Sequence, residues 1–324
     1  MAQPRVTLVV VPREQFSVAE RSLESIFAHT PEPFELVYVD GRSPPALAAK
    51  LRAEAARRGF RLLRSERYLS PNRARNWALQ HVHTEYVVFV DNDLIASPGW
   101  LAPLLACAEE TGAWAVGPLY LEGDPADGIV HMAGGSFTFE GTAPRRRFET
   151  RHLLQKERLA DLPQPLVRGE CDFVEFHCML LRRDVIDRLG PLDEGLLNTR
   201  EHLDLCIQIR EAGGTVWFEP ASVVTYKSPP PLEPRDVPFF LLRWSEEWTL
   251  RSLRHFAAKY GIERSYERRA YIAAARRSLA FEPLSRWVRP IAGERAERAV
   301  AGAVLRVERV ANRLLVRGHT GTPA

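Results

Sequence analysis

The chain has 324 residues, of which 45% are hydrophobic, 26% charged and 9% aromatic, with a net charge of +3. That balance excludes a disordered, collagen-like or low-complexity chain. The charge is uneven: 17 Lys and Arg stand against 8 Asp and Glu from Arg243 onward, and 27 against 33 before it, so an acidic body carries a basic tail and no nucleic-acid partner is expected.

Arg5–Val11 (RVTLVVV) is a near-continuous β-branched run, the pattern of a strand buried on both faces of a parallel sheet. Ser17 can cap a helix whose apolar positions Ala19, Leu23, Ile26 and Phe27 keep helical spacing. Phe34–Val39 is a second strand, Ala46–Arg58 a helix stopped by Gly59, and Phe60–Leu63 a third strand. Asn72–His81 reads as a helix and Tyr86–Val90 (YVVFV) as a fourth strand. Strands separated by helices of this length mean βαβ units and a mostly parallel sheet.

The rhythm then changes. Pro98–Glu110 is helical, Trp114–Leu121 a strand, and Gly123–Glu170 a long polar stretch with a hairpin expected around Gly134-Gly135. Phe173–Leu181 (FVEFHCMLL) returns to strand, followed by helices at Asp184–Leu189 and Thr199–Ala212 and strands at Val216–Phe218 and Val223–Tyr226. After the break at Pro229-Pro230-Pro231, helices are expected at Pro238–Tyr260, Tyr266–Leu279 and Gly293–Val316. In the last one Val300, Val304, Val307, Ala311 and Leu314 form a heptad seam, suited to packing on the body, to a second subunit, or to an anionic membrane surface.

The four cysteines, Cys107, Cys171, Cys178 and Cys206, have neither CxxC nor structural-zinc spacing and read as buried free thiols in a reducing compartment. MAQPRVTLVVV lacks the features of a secretory leader, and no uncharged apolar run reaches the roughly 18 residues of a membrane span. The expectation is a cytoplasmic protein, with peripheral contact to the inner face of the membrane left open.

The sharpest chemical feature is Asp91-Asn92-Asp93 at the end of YVVFV. Residues two apart in extended chain project to one side, and the carboxyl end of a parallel strand is where open α/β sheets place ligands. Two carboxylates there can hold Mn²⁺ or Mg²⁺ with positions left for diphosphate oxygens. They can equally turn the chain and cap the next helix. Asp40 ends the second strand at the same edge, either as a ribose or base contact or as a turn residue before Gly41. Pro12-Arg13-Glu14 leaves the first strand there too. Neither GxGxxG after that strand nor GxxxxGK[ST] occurs, against dinucleotide and P-loop readings.

These segments, with SPNRARNWAL and YVVFVDNDLIASPGWL, resemble glycosyltransferase family 2 from about Val6 to about Tyr226. The resemblance implies the GT-A fold, an α/β domain binding a nucleotide-diphospho-sugar, and transfer of its sugar to a glycan or other hydroxyl acceptor with inversion, in glycan or polysaccharide synthesis. It also implies residue roles. Asp40 and Pro12, Arg13 and Glu14 correspond to nucleoside contacts, with Arg75 and Asn76 ordering the donor pocket. Asp91 with Asn92 lies on the nucleotide side, and Asp93, helped by Asp91, on the metal side. The implied domains are 1–232, with a donor half to about 122 and an acceptor half from about 123, and a basic helical extension over 233–324.

Two family positions differ. The base is usually the Asp of a Glu-Asp pair, where this chain has Glu201-His202 in LNTREHLDLCIQI. Helical spacing aligns Glu201 and Asp204 with Gln208 and Glu211 on a polar stripe, and His202 with Cys206 and Ile209, so His202, Glu201 and Asp204 are all candidates for the base. The family's late metal-binding His is replaced by Tyr226 in VVTYKS. His177, with Glu175 two residues before it, is a candidate for metal or acceptor contact, or a core histidine. Two rivals remain at this level: a metal-dependent nucleotidyltransferase, and a non-catalytic nucleotide-sugar or glycan-binding module.

Overall fold

The computed structural model describes residues 3–227, 232–263, 266 and 275–317, with the side chains of 283–286 outside that description. The βαβ rhythm gives β1 (Val6–Val11), α1 (Ala19–His29), β2 (Glu35–Gly41), α2 (Pro45–Arg58), β3 (Arg61–Ser65), α3 (Pro71–Leu79) and β4 (Tyr86–Asp91). Strand β1 lies between β2 and β4, parallel to both, with Val9 opposite Val37 and Phe89. Its six residues are all buried, as its unbroken apolar run requires. The register sets Val11 opposite Asp91, so the loop after β1 and the Asp91-Asn92-Asp93 turn leave the sheet side by side.

Next come β5 (Leu94–Ala96), α4 (Leu101–Thr111), β6 (Ala115–Glu122), β7 (Val130–Met132), β8 (Gly135–Glu140), β9 (Arg147–His152), β10 (Gly169–Cys171), β11 (Cys178–Arg182), α5 (Arg183–Leu189), α6 (Glu201–Glu211) and β12 (Val216–Tyr226). The main sheet runs β10-β12-β6-β11-β4-β1-β2-β3, with β5 on β12 and β7 on β6, while β8 and β9 pair separately. The parallel half is thus extended by β11, antiparallel to β4.

Several expectations shift. Asp236, not the Ser17 side chain, serves the start of α1: the N–H groups of Phe16 and Ser17 donate to its Oδ1 at 2.8 and 2.9 Å, and Ser17 Oγ donates to Oδ2 at 2.6 Å. The hairpin lies between β8 and β9, with Gly134 (φ 76°) instead ending β7. The two late strands are one, β12, with an irregularity between Glu219 and Val223 where Pro220 lacks a ladder N–H. The strand expected over Phe173–Leu181 begins only at Cys178. Its first part turns over β6, so closely that a Cβ on Gly117 would lie 2.5 Å from the Val174 side chain. The Tyr120 hydroxyl pins this turn, 2.9 Å from Glu175 O, 2.6 Å from Cys178 O and 3.1 Å from Glu175 N.

The single helix expected over Pro238–Tyr260 is two, α7 (Val237–Arg243) and α8 (Glu246–Tyr260), because Ser245 takes an extended conformation and accepts from Trp248 N–H as the cap of α8. Phe239, Leu253, Phe256 and Tyr260 join the core of the sheet domain. Of the expected Tyr266–Leu279 helix, Tyr266 and 275–279 are described, with 275–278 helical; Pro229-Pro230-Pro231 lies outside the described residues.

Helix α9 (Glu282–Arg317) is broken at Gly293, whose φ of 77° is open to glycine. Its heptad seam is not the packed face: Val307 is 72% and Leu314 66% exposed. The buried stripe is Glu308, Asn312 and Val316, where Glu308 accepts from Arg277 Nε at 2.9 Å and Asn312 donates to Leu241 O at 2.8 Å. No described helix is long and apolar enough to cross a membrane.

Candidate functional site

The Asp91-Asn92-Asp93 turn stitches itself to the loop after β1. Arg13 N–H donates to Asn92 Oδ1 at 2.9 Å, Glu14 and Gln15 N–H donate to Asp93 Oδ2 at 3.1 and 3.3 Å, and Asn92 Nδ2 donates to Gln15 O at 3.0 Å. Asp93 Oδ1 is buried and has no hydrogen-bond partner. Burial, with the like charges of Asp91 and Glu14, raises the Asp93 carboxyl well above the usual range.

Asp91 faces cations. Arg13 Nε lies 3.4 Å from its Oδ2 and Arg75 Nη2 3.3 Å from its Oδ1, while His177 Nδ1 lies 2.9 Å from Oδ2. Burial opposes the Asp91 charge, but Arg13, His177 and Arg75 outweigh it and lower its pKa. Arg75 is buried from helix α3 and stacks over Phe176 at 3.9 Å.

The other edge of the His177 ring faces Glu175, with Nε2 3.3 Å from Glu175 Oε2. Three further histidines converge on this carboxylate: His131 Nε2 at 2.9 Å, His152 Nε2 at 3.1 Å and His202 Nε2 at 3.9 Å. They come from β7, β9 and α6. Burial opposes the Glu175 charge, yet His131 and His177 hold its pKa well below the ordinary value. Burial likewise opposes the charge on His131, but Glu175 and Glu122 lift it to about 9. Burial, the first cause in both, takes His177 down to about 4 and His202 to about 3, leaving both neutral near pH 7. His131 and His152 belong to the polar stretch and carry no local signal, because their partner is 44 and 23 residues away.

Glu14 joins this edge to the C-terminal region. It is fully buried and accepts from Tyr226 Oη at 2.7 Å, Trp244 Nε1 at 3.1 Å and Arg276 Nη2 at 2.6 Å. Tyr226 therefore spends its hydroxyl on Glu14 and packs tilted against His177 with ring centroids 4.2 Å apart. Burial would raise the Glu14 pKa, but Arg276, Arg13 and the Tyr226 bond bring it down to about 2. Glu14→Ala should cost about 3–5 kcal/mol, since it strips a buried ion pair of one partner; chemical denaturation measures this. The ionised Glu14 contributes stability above the ordinary carboxyl value of 4.5 and loses it as pH falls toward 2, so the gap between wild type and Glu14→Gln should close in acid.

The remaining sequence candidates lie elsewhere or are committed. Asp40 accepts from Ser43 N–H at 2.7 Å and from Arg64. Pro12 packs where a Cβ on Gly41 would be 2.9 Å from its Cγ. Asn76 donates to Leu192 O at 2.8 Å and accepts from Leu192 N–H at 2.9 Å, which ties down the loop at Leu192. The polar stripe of α6 is not a solvated face, since Glu201 and Asp204 are buried. Asp204 accepts from Tyr260 Oη and Gln208 Nε2 at 2.7 and 2.8 Å and pairs with Lys259 at 2.7 Å, while Glu201 faces Arg243 at 3.8 Å. The edge therefore gathers Arg13, Glu14, Arg75, Asp91, Asn92, Asp93, Glu175, His177 and His202.

A mostly parallel sheet with an antiparallel strand beyond β4 and a buried DxD at its carboxyl edge is the GT-A fold. Two solved structures share it at TM-scores just above one half. GalNAc-T7 with UDP, GalNAc and Mn²⁺ matches at 0.55 with 17% identity, over 78% of this chain and 52% of that one. A mannosyltransferase from Pyrobaculum calidifontis in complex with GDP-Man and Mn²⁺ matches at 0.53 with 17% identity, over 98% and 85%. The family model for Glycosyl transferase family 2 matches residues 8–190, and the chain belongs to that family. It is 28% identical over 233 residues to the uncharacterized protein y4gI of Sinorhizobium fredii, covering 69% of this chain and 25% of that protein. It is also 28% identical over 159 residues to the pre-mycofactocin glycosyltransferase of Mycobacterium tuberculosis, covering 48% and 30%. The chain thus spans only a quarter to a third of these curated relatives.

Proposed function

We propose that this chain transfers a glycosyl group from a nucleotide-diphospho-sugar to a hydroxyl acceptor with inversion, using a divalent cation at Asp93. The observation that carries the reading is the orphaned, buried Asp93 Oδ1 at the carboxyl end of β4. A buried carboxylate oxygen without a donor, on a group whose charge burial penalises, fits a cation with oxygen preference. Asp91 is balanced by Arg13 and Arg75, so the neighbouring guanidiniums can take diphosphate oxygens. Bound at Asp93, Mn²⁺ or Mg²⁺ supplies positive charge against the departing diphosphate.

On the acceptor side His202 Nε2 is buried, neutral and without a hydrogen-bond partner. An acceptor hydroxyl donating to His202 Nε2 at about 2.8 Å would lie beside Glu175, whose Oε1 is 3.9 Å from that nitrogen. His202 takes the proton as the oxygen attacks the anomeric carbon from the face opposite the diphosphate. Asn76 and Asp204 act as structural anchors in this scheme, and Asp40 borders the nucleoside side.

Release of nucleoside diphosphate from a panel of UDP-, GDP- and dTDP-sugars, with and without Mn²⁺ or Mg²⁺, tests the reading. Slow cation-dependent hydrolysis of one donor is expected without acceptor. No turnover together with no binding of any donor would overturn it.

A further inference from the structure

Glu175 and its histidines are more than an acceptor wall. We propose that His131, Glu175 and His177 form a second divalent-metal centre, of mixed nitrogen and oxygen ligation suited to Zn²⁺ or Co²⁺, separate from Asp93. One ligand atom from each of the three residues lies within 4.8 Å of the others. Metal bonds of about 2.0–2.2 Å set tetrahedral ligand atoms about 3.4 Å apart. His131 Nε2 and His177 Nε2 lie 2.9 and 3.3 Å from the same oxygen, Glu175 Oε2, so only small shifts admit an ion.

A second observation concerns the far side of each ring. Metal-binding histidines usually turn their other nitrogen to a carboxylate that fixes the ring and raises its basicity. His177 Nδ1 lies 2.9 Å from Asp91 Oδ2, and His131 Nδ1 lies 3.4 Å from Glu122 Oε2. His131 thus has a hydrogen-bonded outer-shell carboxylate in Glu122, and His177 has the Asp91 carboxylate beside its Nδ1 without hydrogen-bond geometry. A third observation is chemical: His177 is 98% buried. Its Nε2 lies only 3.3 Å from Glu175 Oε2, in reach of an ion bound to that oxygen. His202 Nε2, buried and without a hydrogen-bond partner, faces the other oxygen of Glu175.

The His177 ring has Nδ1 toward Asp91 and Nε2 toward Glu175. Two imidazoles and a carboxylate favour Zn²⁺ or Co²⁺, whereas an all-oxygen set at Asp93 favours Mg²⁺ or Mn²⁺. The centre itself stands on this geometry. Its task rests on the transferase reading: a three-ligand site leaves a position open, and an acceptor hydroxyl bound there would be more acidic and within reach of His202.

The experiment is titration of the chelator-treated full chain with Zn²⁺ and Co²⁺, with no donor or acceptor present, so that failed transfer and failed metal binding remain distinguishable. One equivalent is expected to bind with the visible ligand-field bands of nitrogen-ligated Co²⁺. His131→Ala and His177→Ala should each weaken it more than the about 10–100-fold that loss of an outer-shell partner costs, and Glu122→Gln should fall within that range. Asp93→Asn should keep the equivalent. Absence of binding by the wild-type chain would overturn the proposal without recourse to any variant. Unchanged binding in the folded histidine variants, or its loss in Asp93→Asn, would overturn it as well.

Discussion

His202→Ala should lower kcat by about 10²-fold, the low end of the general-base range, while leaving donor affinity nearly unchanged, because a base held this low has little driving force for proton transfer. The change is expected to leave the fold intact. His202 lies at the start of α6, tilted on the Phe173 ring at 5.6 Å, and its Nε2 has no hydrogen-bond partner to lose. Glu201→Gln serves as the internal control: this side chain faces Arg243 at 3.8 Å. The pH profile supplies a separate check. Burial holds His202 down to about 3, so it is neutral well below pH 6.5. The rate should therefore show no His202 limb between pH 8 and 5, where an unperturbed histidine would lose most of its active form. Steady-state kinetics with the donor that the panel selects, at fixed acceptor, measures both. A kcat within a factor of two of wild type would remove His202 from the mechanism.

Asp93→Asn should lower cation-dependent turnover by about 10²–10³-fold, the range for losing one element of charge stabilisation. Asn keeps an acceptor for the Glu14 and Gln15 N–H groups, so the loop after β1 should hold its place. The stability consequence has the opposite sign. The Asp93 carboxyl is raised by burial, Asp91 and Glu14, so folding favours its protonated form. Its contribution is fully present below the unfolded carboxyl value and is lost as pH rises through the folded one. In chelator, Asp93→Asn should therefore become increasingly more stable than wild type as pH rises, and Mn²⁺ should narrow that difference by stabilising only the wild type. Thermal melts across pH, with and without Mn²⁺, decide it.

The edge at Asp91 was largely legible in the sequence because its signals are local. A β-branched run, a second one ending in Asp91, and carboxylates two residues apart each need only a short window, and register then aligns Val11 with Asp91. Around Glu175 the reading reached Glu175, His177 and His202 but missed His131 and His152, since Glu175 meets partners from three separate elements. The turn that presents Glu175 depends on the Tyr120 hydroxyl, 55 residues earlier. Without that anchor, FVEFHCMLL reads as one strand. Helix α9 misled for a related reason. Apolar periodicity finds a greasy seam, whereas this helix is held by Glu308 on Arg277 and Asn312 on a backbone carbonyl. The start of α1 shows the same limit, with Asp236 replacing the nearby serine as the group that serves its N–H donors.

The partners of the loop after β1 bear on the order in which the protein acquires its shape during synthesis. Phe16 and Glu14 are made well before their carboxylate and cation counterparts, Asp236 and Arg276, which lie 220 and 262 residues further along. Closing such long intervals is entropically slow. While a ribosome is still making the middle of the chain, β1 can pair with β2 and β4, but Glu14 has neither Trp244 nor Arg276 to receive. A nascent chain arrested before Arg276 should thus carry its sheet without a finished loop after β1, and that loop should settle only once Arg276 has been made.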